Sequence, residues 1–457
     1  MVQTIEKQKV KETGPYFEAF QRFEEQAKDL AWLSTLRKAG ISSFLEQGFP
    51  TLKDEDWRFT NVAPIAKRSF KPIFSPARKD ISRADIQRFA FSRVECSRLV
   101  FIDGHYCQGF SPHLTPELDE SEVEDLHVGC LRGGLSSCRG KIEKHLGRYA
   151  SLERNPFAAL NLAFFHDGAF IHIPDGTVIH DPVHLVFIST SREAGATSHP
   201  RNLIVVGANS KVTVIESHVS LGGAAYFTNA VTELVAGDRA EVELIKLQDE
   251  AADAFHIATI QGHFGRTSNV RVHSFALGAR LSRNNIRAQL AGEGLECILN
   301  GLYLTRDEQL ADHHMIVEHA EAHCASHEYF NGILDDKSKG VFHGRILVRP
   351  IAQKTDAKQT NKNLLLSDDA TADTKPQLEI YADDVKCTHG ATIGQLNDES
   401  IFYLRSRGIG PETARRMLIH AFAGEIIERI QCEPAREELD KLVWDRLEAN
   451  PHLAEKR

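Results

Sequence analysis

The sequence lacks the features that mark several large classes of protein. No stretch approaches the roughly 18–20 unbroken apolar residues of a membrane-spanning helix, and the richest run, residues 157–165, is short. The 54 Lys and Arg residues are outnumbered by 63 Asp and Glu residues, giving a formal charge of −9, which argues against binding to nucleic-acid phosphates. Neither a Gly-x4-Gly-Lys-Ser/Thr loop nor a Gly-x-Gly-x-x-Gly motif occurs. We therefore expect no membrane span, no nucleic-acid partner and no ATP site in this chain.

Cysteine pairs and targeting signals are also missing. The eight cysteines are dispersed without a Cys-x-x-Cys pair, so zinc-ribbon and thioredoxin-like folds have no support. The first twelve residues alternate in charge and contain neither the apolar core of a secretory signal nor an Arg- and Ser-rich transit pattern. We expect a cytoplasmic protein whose cysteines are mostly reduced and buried.

The middle of the chain, residues 99–396, has the period-two alternation of half-buried strands, as in residues 211–216 and 241–246. Turn signals recur there every 27 to 30 residues, at Gly207, Gly237, Gly265, Gly292, Glu321 and Arg349. Strand–turn–strand repeats of this length favour a mainly β fold built as a β-helix. An ordinary β-sandwich with regularly spaced turns is the alternative.

Helical patterns precede and follow these strands. Residues 1–98 form a predicted N-terminal helical domain, with a turn at Gly48, and residues 141–163 read as a helical or irregular insertion in the core. Residues 397–457 form a predicted C-terminal helical domain, in which Asn397 or Asp398 caps one helix and Pro411 opens the next. The apolar stripe of this domain suits either packing or the docking of a partner.

One candidate site is a group of histidines within residues 312–327. His319, His323 and His327 are spaced at i, i+4 and i+8, and on a helix they would share one face and could bind a transition metal. The surrounding segments read as strands, with a turn near Glu321, which would spread the three rings apart. A stand-alone metal-binding β-helix enzyme is therefore our alternative hypothesis.

The other candidate site is the pair Cys387 and His389. On a strand the two side chains point to the same face, about 6.6 Å apart along the backbone. A thiol and an imidazole beside Lys386 suit iron or sulfide chemistry, because a positive neighbour favours the thiolate. A buried cysteine next to a hydrogen-bonded histidine is the structural alternative. Since two ligands cannot hold a four-ligand cluster, cluster chemistry would need ligands from a second chain.

Four segments of the sequence resemble a known family. Residues 380–394 and 401–409 are similar to the C-terminal signature of the SufB/SufD family of iron–sulfur cluster assembly proteins. Residues 48–60 and 156–168 are similar to its N-terminal and core-opening segments, in the same order. Where SufB typically carries His-Glu-Ala-Thr, this chain has His-Gly-Ala-Thr, starting at His389. The Cys-Thr-His-Gly form favours the SufD branch of the family.

The resemblance implies a right-handed parallel β-helix core between α-helical N-terminal and C-terminal domains. It implies a non-catalytic scaffold subunit of the SufBCD complex, which pairs with SufB core to core and binds the ATPase SufC through its C-terminal domain. His389, with Cys387 as the weaker candidate, would bind a transient iron–sulfur cluster or its iron at the SufB interface. Sulfur would come from a desulfurase system as persulfide. The resemblance also implies a reduced flavin in the assembled complex, and no residue of this sequence identifies its site.

Overall fold

The computed structural model describes residues 2–27, 30–68, 70–75, 81–112, 125–190 and 194–449. Its helices are α1 (Val2–Ala27), α2 (Ala31–Gln47), α3 (Ala63–Ala66), α4 (Arg83–Gln87), α5 (Leu131–Ser137), α6 (Arg139–His145), α7 (Pro156–Phe164), α8 (Asp398–Ser406), α9 (Pro411–Ile427) and α10 (Glu433–Glu448). Short 3₁₀ turns span Glu55–Trp57 and Gln108–Phe110. None of the described helices is long and apolar enough to cross a bilayer.

The strands are β1 (Lys71–Pro72), β2 (Ser97–Ile102), β3 (His105–Tyr106), β4 (His127–Cys130), β5 (Ala169–Ile173), β6 (Val183–Ser189), β7 (Ala196–Ser198), β8 (Arg201–Val206), β9 (Lys211–Ser220), β10 (Phe227–Ala236), β11 (Glu241–Asp249), β12 (Phe255–Phe264), β13 (Asn269–Ala276), β14 (Leu281–Leu290), β15 (Glu296–Thr305), β16 (Leu310–His319), β17 (Ala325–Leu334), β18 (Lys339–Val348), β19 (Asp356–Leu365), β20 (Thr371–Ile380) and β21 (Lys386–Gly394).

From β8 onward, consecutive strands alternate between two sheets. The even-numbered strands β8 to β20 follow one another in sheet 1, and the odd-numbered strands β9 to β21 follow one another in sheet 2. Each strand pairs in parallel with the strand two places later in the chain. One strand of each sheet and the connecting turns therefore make one coil, and the chain forms a β-solenoid of about eight turns. The predicted β-helix is confirmed, and the sandwich alternative is wrong.

The predicted turn signals lie where the chain passes from sheet 1 to sheet 2, and the glycines there permit close stacking of coils. A Cβ atom on Gly237 would lie 2.8 Å from the backbone nitrogen of Ala208, and one on Gly292 would lie 2.1 Å from the backbone nitrogen of Arg266. The left-handed backbone conformation falls on a later turn residue, as at Arg239 with φ of 57°. Glycine is thus required in these two turns by contact with the preceding coil.

Apolar side chains fill much of the inside of the solenoid, together with a buried polar network that includes Glu216 and Lys246. The terminal regions cover its two outer faces. The N-terminal region packs on sheet 1, where Phe44 and Trp57 join one cluster with Phe227 and Phe255. Helices α9 and α10 pack on sheet 2 and share a cluster with β9 to β19. Helix α7 is buried along its whole length. As predicted, the side chain of Asn397 caps α8, and Pro411 opens α9.

Candidate functional site

The last coil, formed by β20 and β21 and called the open coil below, leaves one edge of each sheet uncovered. β20 pairs with β18, and β21 pairs with β19; neither has a second neighbour among the described strands. Eight of the nine residues of β21 are exposed. An uncovered strand edge presents unpaired N–H and C=O groups and can pair with a strand of another chain.

Cys387 and His389 lie on the inward face of β21. In the parallel register, Cys387 aligns with Ala357 and His389 aligns with Gln359; both partners on β19 are buried. Thr388 lies between them and points to the opposite face. The alternation along the strand therefore puts the thiol and the imidazole side by side. Because no coil covers β21, His389 is exposed and Cys387 is half-buried.

The environment of Cys387 opposes ionisation of its thiol. Burial raises the pKa of Cys387, and the carboxylate of Asp356 raises it further. Lys386 was expected to favour the thiolate, but it aligns with Asp356 on the neighbouring strand and is exposed. That expectation is wrong because alternation turns Lys386 away from the face that carries the thiol. Of the two candidate ligands, the exposed imidazole is the more accessible.

Two buried polar residues lie behind His389 in the same column of the sheet. Glu328 on β17 aligns with Gln359 on β19, which aligns with His389 on β21. The amide nitrogen of Gln359 donates to Glu328 Oε2 at 2.7 Å. In the preceding coil, the residue that aligns with Glu328 is the apolar Leu299. Our sequence reasoning missed Glu328 and Gln359, although Gln359 lies about one repeat before His389 and Glu328 about two, which was a usable signal.

Comparison with known proteins assigns the chain to a family. Residues 187–422 match the model described as the SufBD core domain of the SUF system for FeS cluster assembly. Residues 10–185 match the SufBD protein N-terminal region. The chain belongs to the SufBD family.

Several relatives support the membership of this SufBD family protein. It is 34% identical to an iron–sulfur cluster assembly SufBD family protein of Synechocystis, over 83% of this chain and 84% of that one. It is 32% identical to the iron–sulfur cluster assembly protein SufD of Escherichia coli, over 89% of this chain and 91% of that one. A SufD of Bacillus subtilis is 24% identical, over 93% and 96% of the two chains. The chain is therefore a SufD-like iron–sulfur cluster assembly protein.

The histidines of the alternative hypothesis are not brought together in this SufBD family protein. His319 is buried at the end of β16, where its Nε2 atom lies 2.8 Å from the hydroxyl of Ser326. His323 is exposed in a turn, with φ of 60°. His327 aligns with the exposed Lys358 on the outer face of β17 and β19. Strand geometry thus separates the three rings, and nothing in their arrangement favours a metal-binding enzyme.

Asp56, His314 and His343 do converge, between the N-terminal region and sheet 1. The guanidinium of Arg283 donates to His314 Nδ1 at 2.7 Å, so the ring proton sits on Nε2, the atom that faces Asp56 at 3.7 Å. His343 Nε2 lies 2.7 Å from the side-chain oxygen of Gln377 and donates to it. In this arrangement both Nε2 atoms carry protons, and the cluster attaches the N-terminal region to the solenoid.

Proposed function

We propose that this chain is the SufD-like scaffold subunit of a SufBCD complex, in which iron–sulfur clusters assemble at the SufB–SufD interface. The observation that carries the proposal is the position of His389 and Cys387. They are the inward-facing thiol and imidazole of the open coil, at the edge where the solenoid leaves its backbone unpaired. His389 would bind the iron of the nascent cluster, and Cys387 would assist it.

The number of donors supports a shared site. A cluster of the common type takes four protein ligands, and the open coil offers one imidazole and one thiol. SufB would supply the others when its strands add to the free edges of β20 and β21, a mode of recognition that uses backbone hydrogen bonds for affinity. In this arrangement the chain has a binding role and catalyses no reaction itself.

The surface of α8 supports SufC docking. No residue of α8 is buried, and its aromatic side chains Phe402 and Tyr403 are 73% and 57% exposed. Met417 on α9 adds a third exposed apolar side chain. Exposed aromatic and methionine side chains of this kind are typical of protein interfaces. SufC, the ATPase of the complex, would bind here and supply the ATP hydrolysis for which this sequence has no phosphate loop.

The remaining components come from the family resemblance. Sulfur would reach the complex as persulfide from a desulfurase system, and the iron–sulfur cluster would be transient cargo. A reduced flavin would associate with the assembled complex.

Substitution of His389 tests the proposed site. We expect His389→Ala to leave the secondary structure and the SufBCD complex intact and to slow cluster formation in anaerobic reconstitution, followed by visible absorption. Thr388→Ala is the matched control because Thr388 is the adjacent residue on the opposite face of the same strand. A His389→Ala complex that forms clusters at the wild-type rate would refute a role for this imidazole.

Substitutions on α8 test the SufC surface. Deleting the C-terminal helices would uncover the apolar outer face of sheet 2, so point variants are the sharper test. We expect Phe402→Ser with Tyr403→Ser to weaken SufC binding at least tenfold in calorimetric titration, as truncated aromatic anchors do. Lys441→Ser, on the exposed face of α10, is the control. Unchanged SufC affinity in the α8 variant would show that SufC docks elsewhere.

A further inference from the structure

The side-chain amide of Gln359 is hydrogen-bonded through its nitrogen. Its nitrogen donates to Glu328 Oε2 on the deeper strand at 2.7 Å. Because the nitrogen and oxygen of an amide diverge from its carbon, the oxygen is turned away from the Glu328 atom that accepts from the nitrogen. This Oε1 atom is buried and has no hydrogen-bond partner. A buried amide oxygen without a partner costs free energy, and natural proteins seldom leave one unused.

The surroundings hold this amide in place. Gly344 on β18 faces it across the interior, and a Cβ atom at Gly344 would lie 2.1 Å from Gln359 Nε2. A side chain at position 344 would therefore displace the amide from this position. Gln359 and Glu328 are both nearly inaccessible to solvent, at 1% and 0% exposure. The column beneath His389 is therefore closely packed, and it contains a buried acceptor without a partner on the residue that aligns with His389.

We propose that Gln359 is a positioning residue for His389: its side-chain oxygen accepts the N–H of one imidazole nitrogen and leaves the other nitrogen free to bind iron. The two residues are adjacent across parallel strands, which are about 4.8 Å apart. A ligating histidine commonly donates its second ring N–H to a carbonyl or carboxylate oxygen, which fixes the tautomer and the ring plane. Because the amide nitrogen donates to Glu328, the oxygen is the atom left to accept from the ring. This inference rests on the proposed function and assigns a role to the column behind the site.

The chemistry explains why an amide suits this position. An amide oxygen accepts a hydrogen bond from a ring N–H without adding a negative charge at a buried position, where an unpaired charge would be costly. If the oxygen accepts from His389, both the nitrogen and the oxygen of the amide are hydrogen-bonded to residues of the same column. The ring nitrogen that faces out of the coil is then the one left to bind a metal.

A double-mutant cycle tests this role. Gln359→Met keeps the length and volume of the side chain and removes the acceptor. In the SufBCD complex we expect it to slow cluster formation about tenfold, within the range seen for such supporting hydrogen bonds. The variant with both Gln359→Met and His389→Ala should be no slower than His389→Ala alone, because Gln359 acts through His389. Gln248→Met is the matched control, since Gln248 is another buried, hydrogen-bonded glutamine on β11.

A spectroscopic measurement separates positioning from a structural effect. In ¹⁵N-histidine NMR of the full chain, with the His389 signals assigned from their loss in His389→Ala, we expect one tautomer in the wild type and a mixture in Gln359→Met. An unchanged tautomer, or effects of the two substitutions that multiply in the double variant, would overturn the proposal. If Gln359→Met forms clusters at the wild-type rate while His389→Ala is slow, the positioning role fails and the proposed function stands. If both variants match the wild type, the proposed function itself fails.

Discussion

The buried carboxyl group of Glu328 should make the stability of the chain depend on pH in a way that one substitution removes. Burial raises the pKa of Glu328 from 4.5 to about 8, and the hydrogen bond from Gln359 opposes this rise only in part. Between pH 4.5 and about pH 8, Glu328 keeps its proton in the folded chain and loses it in the unfolded chain. The contribution of the protonated carboxyl to the free energy of unfolding is therefore complete below about pH 4.5. It is lost as the pH rises towards 8.

The size of the effect follows from linkage at about 1.36 kcal/mol per pH unit. From pH 5.5 to pH 7.5, ionisation of Glu328 in the unfolded chain should lower the free energy of unfolding by about 2.5 kcal/mol. Glu328→Gln keeps the shape of the side chain and an oxygen that can accept from Gln359, but it cannot ionise. Relative to the wild type, the variant should therefore gain about 2.5 kcal/mol of stability over this pH range.

Urea unfolding of the wild type and Glu328→Gln at pH 5.5, 6.5 and 7.5, followed by circular dichroism, measures this gain. Histidines that titrate in the same range contribute to both proteins and cancel in the difference. Glu308→Gln, at a side chain that is 77% exposed, is the control and should show no such trend. A difference between wild type and Glu328→Gln that is the same at all three pH values would refute the argument that burial keeps this carboxyl protonated.

Two further predictions concern packing in the solenoid. Arg201 and Glu233 form a fully buried ion pair at 2.8 Å, so Arg201→Ala should lower the free energy of unfolding by about 3–5 kcal/mol by leaving a buried carboxylate without its cation; a loss below 1 kcal/mol in urea unfolding would contradict this. Gly332→Ala would place a methyl group 2.2 Å from the ring of Tyr303 and should cost about 1–3 kcal/mol. Gly424→Ala, in α9 with nothing within 4 Å, should be neutral or stabilise the chain by up to about 1 kcal/mol, and equal melting temperatures for the two alanine variants would contradict the close-contact argument.

The repeat was predictable from sequence because the turns between coils need glycine at fixed intervals. Positions such as Gly237 and Gly265 mark those turns, and the alternation between them sets which residues face inward. The same alternation put Cys387 and His389 on one face of a strand. These features depend on local spacing, which a sequence displays directly.

The structure was needed where distant segments meet. The pKa of Cys387 depends on Asp356, which lies about one coil earlier in the chain, and the sequence neighbour Lys386 suggested the opposite direction. Asp56 and His314 are separated by most of the chain, so their approach could not be predicted from spacing. Gln359 and Glu328 could have been found by stepping back one repeat at a time from His389, but their hydrogen bond depends on the orientation of an amide.

The most direct test of the account is whether a nitrogen of His389 binds the nascent cluster. The SufBCD complex, with only this subunit labelled with ¹⁵N-histidine, would be loaded anaerobically, reduced and examined by pulsed electron paramagnetic resonance. We expect a ¹⁵N coupling to the cluster that is present in the wild type and in Thr388→Ala and is lost in His389→Ala. A cluster that forms without this coupling, or that keeps it in His389→Ala, would contradict the assignment of His389 as a ligand.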